Sequence, residues 1–162
     1  MNYQFDEKNY RISEPSLAID LREKVSDLQP KRSYFPSGAL QSECFYQKSH
    51  LHGPSRYYSE EGSLLSETWF WKSRRQGRAR FFYLSGRLYA RLGYRDNQKA
   101  GRQEYFYEDG KPKTIEEYEN GRLQGEVLLY WPNGRLKRRS RFADGRRTKD
   151  EFWNEDGSIF RW

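Results

Sequence analysis

Tyr130-Trp131-Pro132-Asn133-Gly134-Arg135-Leu136 is the stretch whose reading decides the fold. Its proline presets the first central position of a type I turn, and its glycine takes a left-handed conformation at little steric cost, so the segment reads as a hairpin connection. Glu108-Asp109-Gly110 and Leu84-Ser85-Gly86 read likewise. Glycines recur at Gly38, Gly62, Gly86, Gly110 and Gly134, always 24 apart, and again at Gly157 after a unit one residue shorter. A second series, Gly53, Gly77, Gly101 and Gly125, keeps the same interval and has no member in the fifth unit. Aromatic residues follow the same period. Tyr34, Tyr58, Phe82, Phe106, Tyr130 and Trp153 stand four residues before the first-series glycines, and Tyr46, Phe70, Tyr94, Tyr118 and Phe142 stand eight after. Such a period marks an array of one supersecondary unit.

Each unit contains two strands and two turns. The second turn falls in short polar stretches such as Asn120-Gly121-Arg122-Leu123-Gln124-Gly125. After the first turn the chain alternates: Leu88, Ala90, Leu92 and Tyr94 against Arg87, Tyr89 and Arg91, and Leu136, Arg138, Ser140 and Phe142 against Arg135, Lys137, Arg139 and Arg141. The expected fold is all-β: an elongated, twisted antiparallel sheet of about six stacked hairpins, with units starting near Tyr34, Tyr58, Phe82, Phe106, Tyr130 and Trp153. Leu17, Leu21, Val25 and Leu28 fall at helical spacing between Ser16 and Leu28, which predicts a short helix capping the sheet. The expected division is an N-terminal arm over 1–33 and a repeat domain over 34–162.

Composition agrees with a thin sheet. Hydrophobic residues are 35% of the 162 and aromatic ones 17%, so rings supply much of the apolar surface. Cys44 is a lone cysteine, which excludes an intrachain disulfide and reads as a small buried residue. Without a signal-like or membrane-spanning apolar run, the expected location is cytoplasmic.

The unit of two aromatics, two further residues, Gly-x-Leu, a later aromatic and a polar turn resembles the bacterial variant of the MORN repeat, in Tyr130 to Leu136 and in Tyr118-Glu119-Asn120-Gly121-Arg122-Leu123-Gln124-Gly125. The resemblance covers about 34–162. It implies an elongated sheet of hairpins that makes protein–protein contacts or attaches to acidic phospholipid, some bacterial members being labelled antitoxins. It supplies no catalytic residues.

The residues themselves point the same way. His50 and His52 with Cys44 match no zinc-ligand spacing and read as solvated turn histidines. The glycines are dispersed one per turn, so no phosphate cradle forms. No enzyme activity, cofactor or metal is expected. The net charge of +7 belongs to the repeats, because residues 1–33 are neutral. Arg135, Lys137, Arg139 and Arg141, with Arg87 and Arg91 at matching places, predict a positive stripe, partly neutralised by Glu43, Glu67 and Glu117. The stripe would suit an acidic protein or an anionic membrane, and nucleic acid least. Doublets such as Phe81-Phe82 and Tyr105-Phe106 send adjacent rings to opposite faces, which calls for a partner, a second copy or the N-terminal helix on the second face. Trp69 and Trp71 are the rings expected at that contact.

Overall fold

A computed structural model describes residues 28–160 of the chain. They form one antiparallel sheet of 13 strands, and no helix is found among them. The rising and falling strands are β1 (Gln29–Tyr34), β2 (Leu40–Gln47), β3 (His50–Tyr58), β4 (Leu64–Trp71), β5 (Arg74–Phe82) and β6 (Leu88–Arg95). They continue as β7 (Gln98–Lys99), β8 (Gly101–Phe106), β9 (Pro112–Glu119), β10 (Arg122–Leu123), β11 (Gly125–Tyr130), β12 (Leu136–Ala143) and β13 (Arg146–Phe152). Neighbours in sequence are neighbours in the sheet, with β7/β8 and β10/β11 each acting as one interrupted strand. The expected helix at 16–28 lies outside the described residues, apart from Leu28, which precedes β1 without regular structure. The sheet begins at Gln29, ahead of Tyr34.

Six turns of identical bonding line one edge. In each, the glycine N–H donates to the residue three before it, as Gly134 does to the Trp131 carbonyl at 2.8 Å and Gly86 to the Tyr83 carbonyl at 2.9 Å. Gly86 has φ +79° and open space where a Cβ would stand, so conformation and not crowding demands glycine there. Successive turns are tied together by side chains. Tyr83 Oη donates to the Phe106 carbonyl and Tyr107 Oη to the Tyr130 carbonyl, both at 2.8 Å, and Trp131 Nε1 donates to the Trp153 carbonyl at 3.1 Å. The other edge has two-residue turns, and from Lys72 onward these have positive φ at both places, as at Asp96 (48°) and Asn97 (69°), the twist-matched hairpin geometry.

The second glycine series marks bulges, not turns. Thr68 faces Ala79 while Phe70 faces Arg75, so Gln76, Gly77 and Arg78 stand opposite the single residue Trp69. In the fifth unit, where Lys149 replaces the glycine, Arg141 faces Lys149 and Phe142 faces Arg147, leaving only Thr148 over. The unit that ends at Gly157 is shorter by one because its bulge is smaller by one. At the third unit the bulge is plugged by Gln103, which is fully buried. Its Oε1 accepts from the Gly93 N–H at 3.1 Å, and its Nε2 donates to the carbonyls of Gly93 (3.2 Å), Ala100 (3.0 Å) and Gly101 (3.0 Å).

Directly paired residues share a face of a sheet, and the register defines two. On the first, Ser42, Tyr57, Ser66, Phe81, Ala90, Tyr105, Thr114, Leu129, Arg138 and Phe152 form one row in which large and small side chains alternate. Rings from β3, β5 and β8 lie over small residues of the falling strands until Leu129 takes the ring position and Arg138 breaks the alternation. The core is the row beside it, with Ala79, Leu92 and Tyr94 buried next to Ala90. Cys44, also in that inner row, is half-buried with its Sγ 3.0 Å from Ser55 Oγ, not the fully buried residue expected; its neighbour Phe45 is the buried one. The row ends at Asp150, held by Arg138 Nε (2.8 Å) and Nη2 (2.7 Å) and by Ser140 Oγ (2.7 Å). The bidentate Arg138 guanidinium, against the opposing effect of desolvation, brings the Asp150 carboxyl down to about 2.

Two outcomes follow for stability. Gln103→Leu keeps the volume but removes the acceptor of the Gly93 amide and a donor shared by three carbonyls, and is expected to lower stability by about 1–3 kcal/mol in urea titration. Asp150 is lowered on folding, so its contribution is complete above pH ~4, near the ordinary aspartate value, and is lost as pH falls through about 2. Asp150→Asn should therefore flatten the urea midpoint against pH across that window.

Candidate binding surfaces

The second face carries one continuous row of paired residues across the whole sheet. In order these are Arg32, Glu43, Arg56, Glu67, Arg80, Arg91, Glu104, Ile115, Leu128, Arg139 and Glu151. Arg32 Nη2 lies 2.7 Å from Glu43, Arg56 Nε 2.8 Å from Glu67, Arg80 Nη2 2.7 Å from Glu67, and Arg91 Nη1 3.3 Å from Glu104. Glu67 is buried; desolvation pushes its carboxyl up, but hydrogen bonds from Arg80 and Arg56 outweigh that and hold it below the usual range. The second ring of three doublets falls beside this row under an arginine. Arg80 lies 5.9 Å from the Phe82 ring centre, Arg91 5.9 Å from Phe106, and Arg139 5.7 Å from Trp153. Both rings of a doublet are thus half-covered within one layer: one by small neighbours, the other by guanidinium groups.

The residues singled out from sequence separate into three places. Trp69 and Trp71 lie on the charged face near its N-terminal end, Trp69 opposite Pro54 and Trp71 4.3 Å from the His52 ring. His52 is buried there at 3% exposure, and only His50 is an exposed histidine, which corrects the reading of both as solvated. Arg87 and Arg135 are turn residues whose guanidinium groups donate onward, Arg87 to the Glu108 carbonyl at 3.0 Å and Arg135 to the carbonyls of Glu155 (3.3 Å) and Asp156. Arg139 and Arg141 do point together, Arg141 Nε 3.3 Å from Glu126. Lys137 leaves their line because Leu129 faces Arg138 while Tyr130 faces Leu136, so Lys137 is the extra residue of a register shift, its Nζ 4.1 Å from the Trp131 ring centre. Alternation alone aligns Arg135, Lys137, Arg139 and Arg141; the bulge divides them. From β4 to β12 is six strand steps, roughly 29 Å, so the tryptophans and the arginines are not one site.

Sequence reasoning missed the charge row, although its signal is plain: Arg32, Arg56 and Arg80 are 24 apart, as are Glu43 and Glu67. It also missed the break in that row. Ile115 and Leu128 are directly paired, with Glu104 before them and Arg139 after. Among the described residues Arg139 Nε is buried with no hydrogen-bond acceptor, and Glu151, opposite Arg139, is 2.9 Å from Lys149 Nζ.

A polar hollow of about 320 Å³ lies at the two-residue-turn edge, lined by Glu119, Asn120, Arg122, Gln124 and Asp144. Among the described residues no cluster of His, Cys, Asp and Glu has metal-site geometry, and no helix is long and apolar enough to cross a membrane.

Similar solved structures include a mutant of S. aureus TarM in complex with fondaparinux, alpha-GlcNAc-glycerol and UDP, at 19% identity and TM-score 0.38 over 60% of this chain and 20% of that one. Accessory secretory protein 1, 2 and 3 of Streptococcus pneumoniae is 17% identical with TM-score 0.37, over 70% and 21%. The glycosylation associate protein complex of Streptococcus agalactiae is 21% identical with TM-score 0.38, over 71% and 21%. This chain therefore spans about a fifth of the length of those chains. No curated protein matches the sequence. The MORN repeat variant model matches residues 31–48, 51–72, 99–120 and 123–144, together just over half of the chain, and the unmatched third unit between them has the same turns and pairing. By these matches and by the repeated hairpin they fall on, the chain belongs to the MORN repeat variant family.

Proposed function

We propose that the chain is a non-enzymatic scaffold that binds a protein partner on its sheet surface. Repeats of this family are in general protein- or membrane-interaction repeats. The observation that carries the reading is the single-layer sheet: over residues 28–160 both faces lack a second layer, and rings such as Tyr57 (50% exposed) and Tyr89 (38%) remain open to contact. The hollow at the turn edge is polar, unlike the mostly apolar pockets that take small-molecule substrates. Peripheral binding to acidic phospholipid is the alternative, supported by the +7 charge. The ion pairs and carbonyl bonds that hold Arg87, Arg91, Arg135 and Arg141 favour the protein reading, because they give those cations an architectural use. Antitoxin-like neutralisation of a partner is one form the protein reading takes.

Trp69→Ala/Trp71→Ala is expected to lose the protein that co-purifies with the full chain and to weaken the purified pair by about 30-fold or more, the size of a hot-spot loss. An unchanged partner set and affinity would contradict that contact. For the alternative, sedimentation with vesicles that ignores both phosphatidylserine content and salt would count against membrane binding.

A further inference from the structure

We propose that the break in the charge row is the docking site of an acidic protein segment, which lays an apolar side chain on Ile115 and Leu128 and a carboxylate on Arg139. The inference rests on the scaffold reading and gives it a place and a partner chemistry. Before the break, each arginine of the row has a carboxylate from its own sheet: Arg32 with Glu43, Arg56 and Arg80 with Glu67, and Arg91 with Glu104. Arg139 occupies the same kind of position, yet its neighbour on one side is Leu128, and Glu151 on its other side is hydrogen-bonded to Lys149 and acts on Arg139 through charge alone. Among the described residues its Nε is buried without an acceptor, so the sheet leaves the guanidinium with hydrogen-bonding capacity unmet. The guanidinium lies over the Trp153 ring, which fixes its plane and leaves a fork suited to a carboxylate.

The apolar half of the site is the reason the occupant must be a protein segment and not a small anion. Ile115 and Leu128 are half-buried side chains in a row otherwise made of charges, one and two strand steps from Arg139, so within about 10 Å of it. A segment with an aliphatic or aromatic side chain near an Asp or Glu matches both halves, and the +7 charge of the chain steers an acidic partner toward it.

Random-sequence peptides selected against the full chain test this. Selected peptides should carry Asp or Glu near an aliphatic or aromatic residue, and once synthesised should lose affinity about tenfold or more with Arg139→Gln. Leu128→Glu should lose it equally, because the new carboxylate reaches Arg139 from its own sheet as Glu104 reaches Arg91; its unfolding midpoint should equal or exceed that of the unchanged chain. Arg32→Gln, at the far end of the row, should leave affinity unchanged. Peptides that bind Arg139→Gln and Leu128→Glu as tightly as the unchanged chain overturn the site while the scaffold reading stands. A lowered midpoint for Leu128→Glu overturns the premise that Arg139 lacks a hydrogen-bonded carboxylate. Arg139-dependent sedimentation on phosphatidylserine vesicles with no selected peptide overturns the choice of partner, and a library that enriches nothing, with no vesicle binding, contradicts the scaffold reading as well.

Discussion

A one-layer sheet has to protect two faces with side chains that belong to itself. In most proteins a second layer buries one face of a sheet; here, over the described residues, protection comes from contacts between neighbouring strands on the same face. The two faces solve the problem differently. On one, rings of the rising strands pack over Ser66, Ala90 and Thr114 of the falling strands. On the other, arginines and glutamates pair across strands and the long arginine stems and planar heads cover Phe82, Phe106 and Trp153. The unusual composition, poor in aliphatic residues and rich in rings and charges, is what this division of labour uses.

The edges complete the arrangement. Along one, the turns from Gly86 to Gly157 are bonded each to the next by Tyr83, Tyr107 and Trp131. Along the other, backbone bonds such as Asn97 N–H to the Arg75 carbonyl at 3.0 Å join neighbouring turns. Coupling therefore runs only between adjacent units, as in other linear repeat arrays. Order in the charge row propagates the same way and reverses once. Arginine is on the rising strand up to Arg80 and on the falling strand from Arg91, and those two like charges face each other at the reversal.

Much of this was legible before coordinates. A 24-residue glycine and aromatic period fixes the hairpins, because only a left-handed turn residue at Gly86 or Gly134 permits the observed chain reversal. Opposite facing of the doublet rings was also readable from strand alternation. What escaped was everything set by cross-strand register. Alternation places Lys137 with Arg139 and Arg141, but a register shift moves it onto Trp131. His52 read as solvated because a polar residue beside glycine suggests a turn, whereas the bulge turns it against Trp71. The break at Ile115 and Leu128 was invisible because neither residue is unusual in a strand; it becomes a feature only once Glu104 and Arg139 are placed on either side.

The central claim is that the paired charges of the second face act as covering for the sheet and are not loose surface pairs. A double-mutant cycle on Arg56 and Glu67, whose atoms are 2.8 Å apart, measures that most directly. The account predicts a coupling of about 1.5–3 kcal/mol, the range for hydrogen bonds to charged groups, that survives raised salt. A coupling of about 0.5 kcal/mol or less that salt removes, typical of exposed pairs, would contradict it.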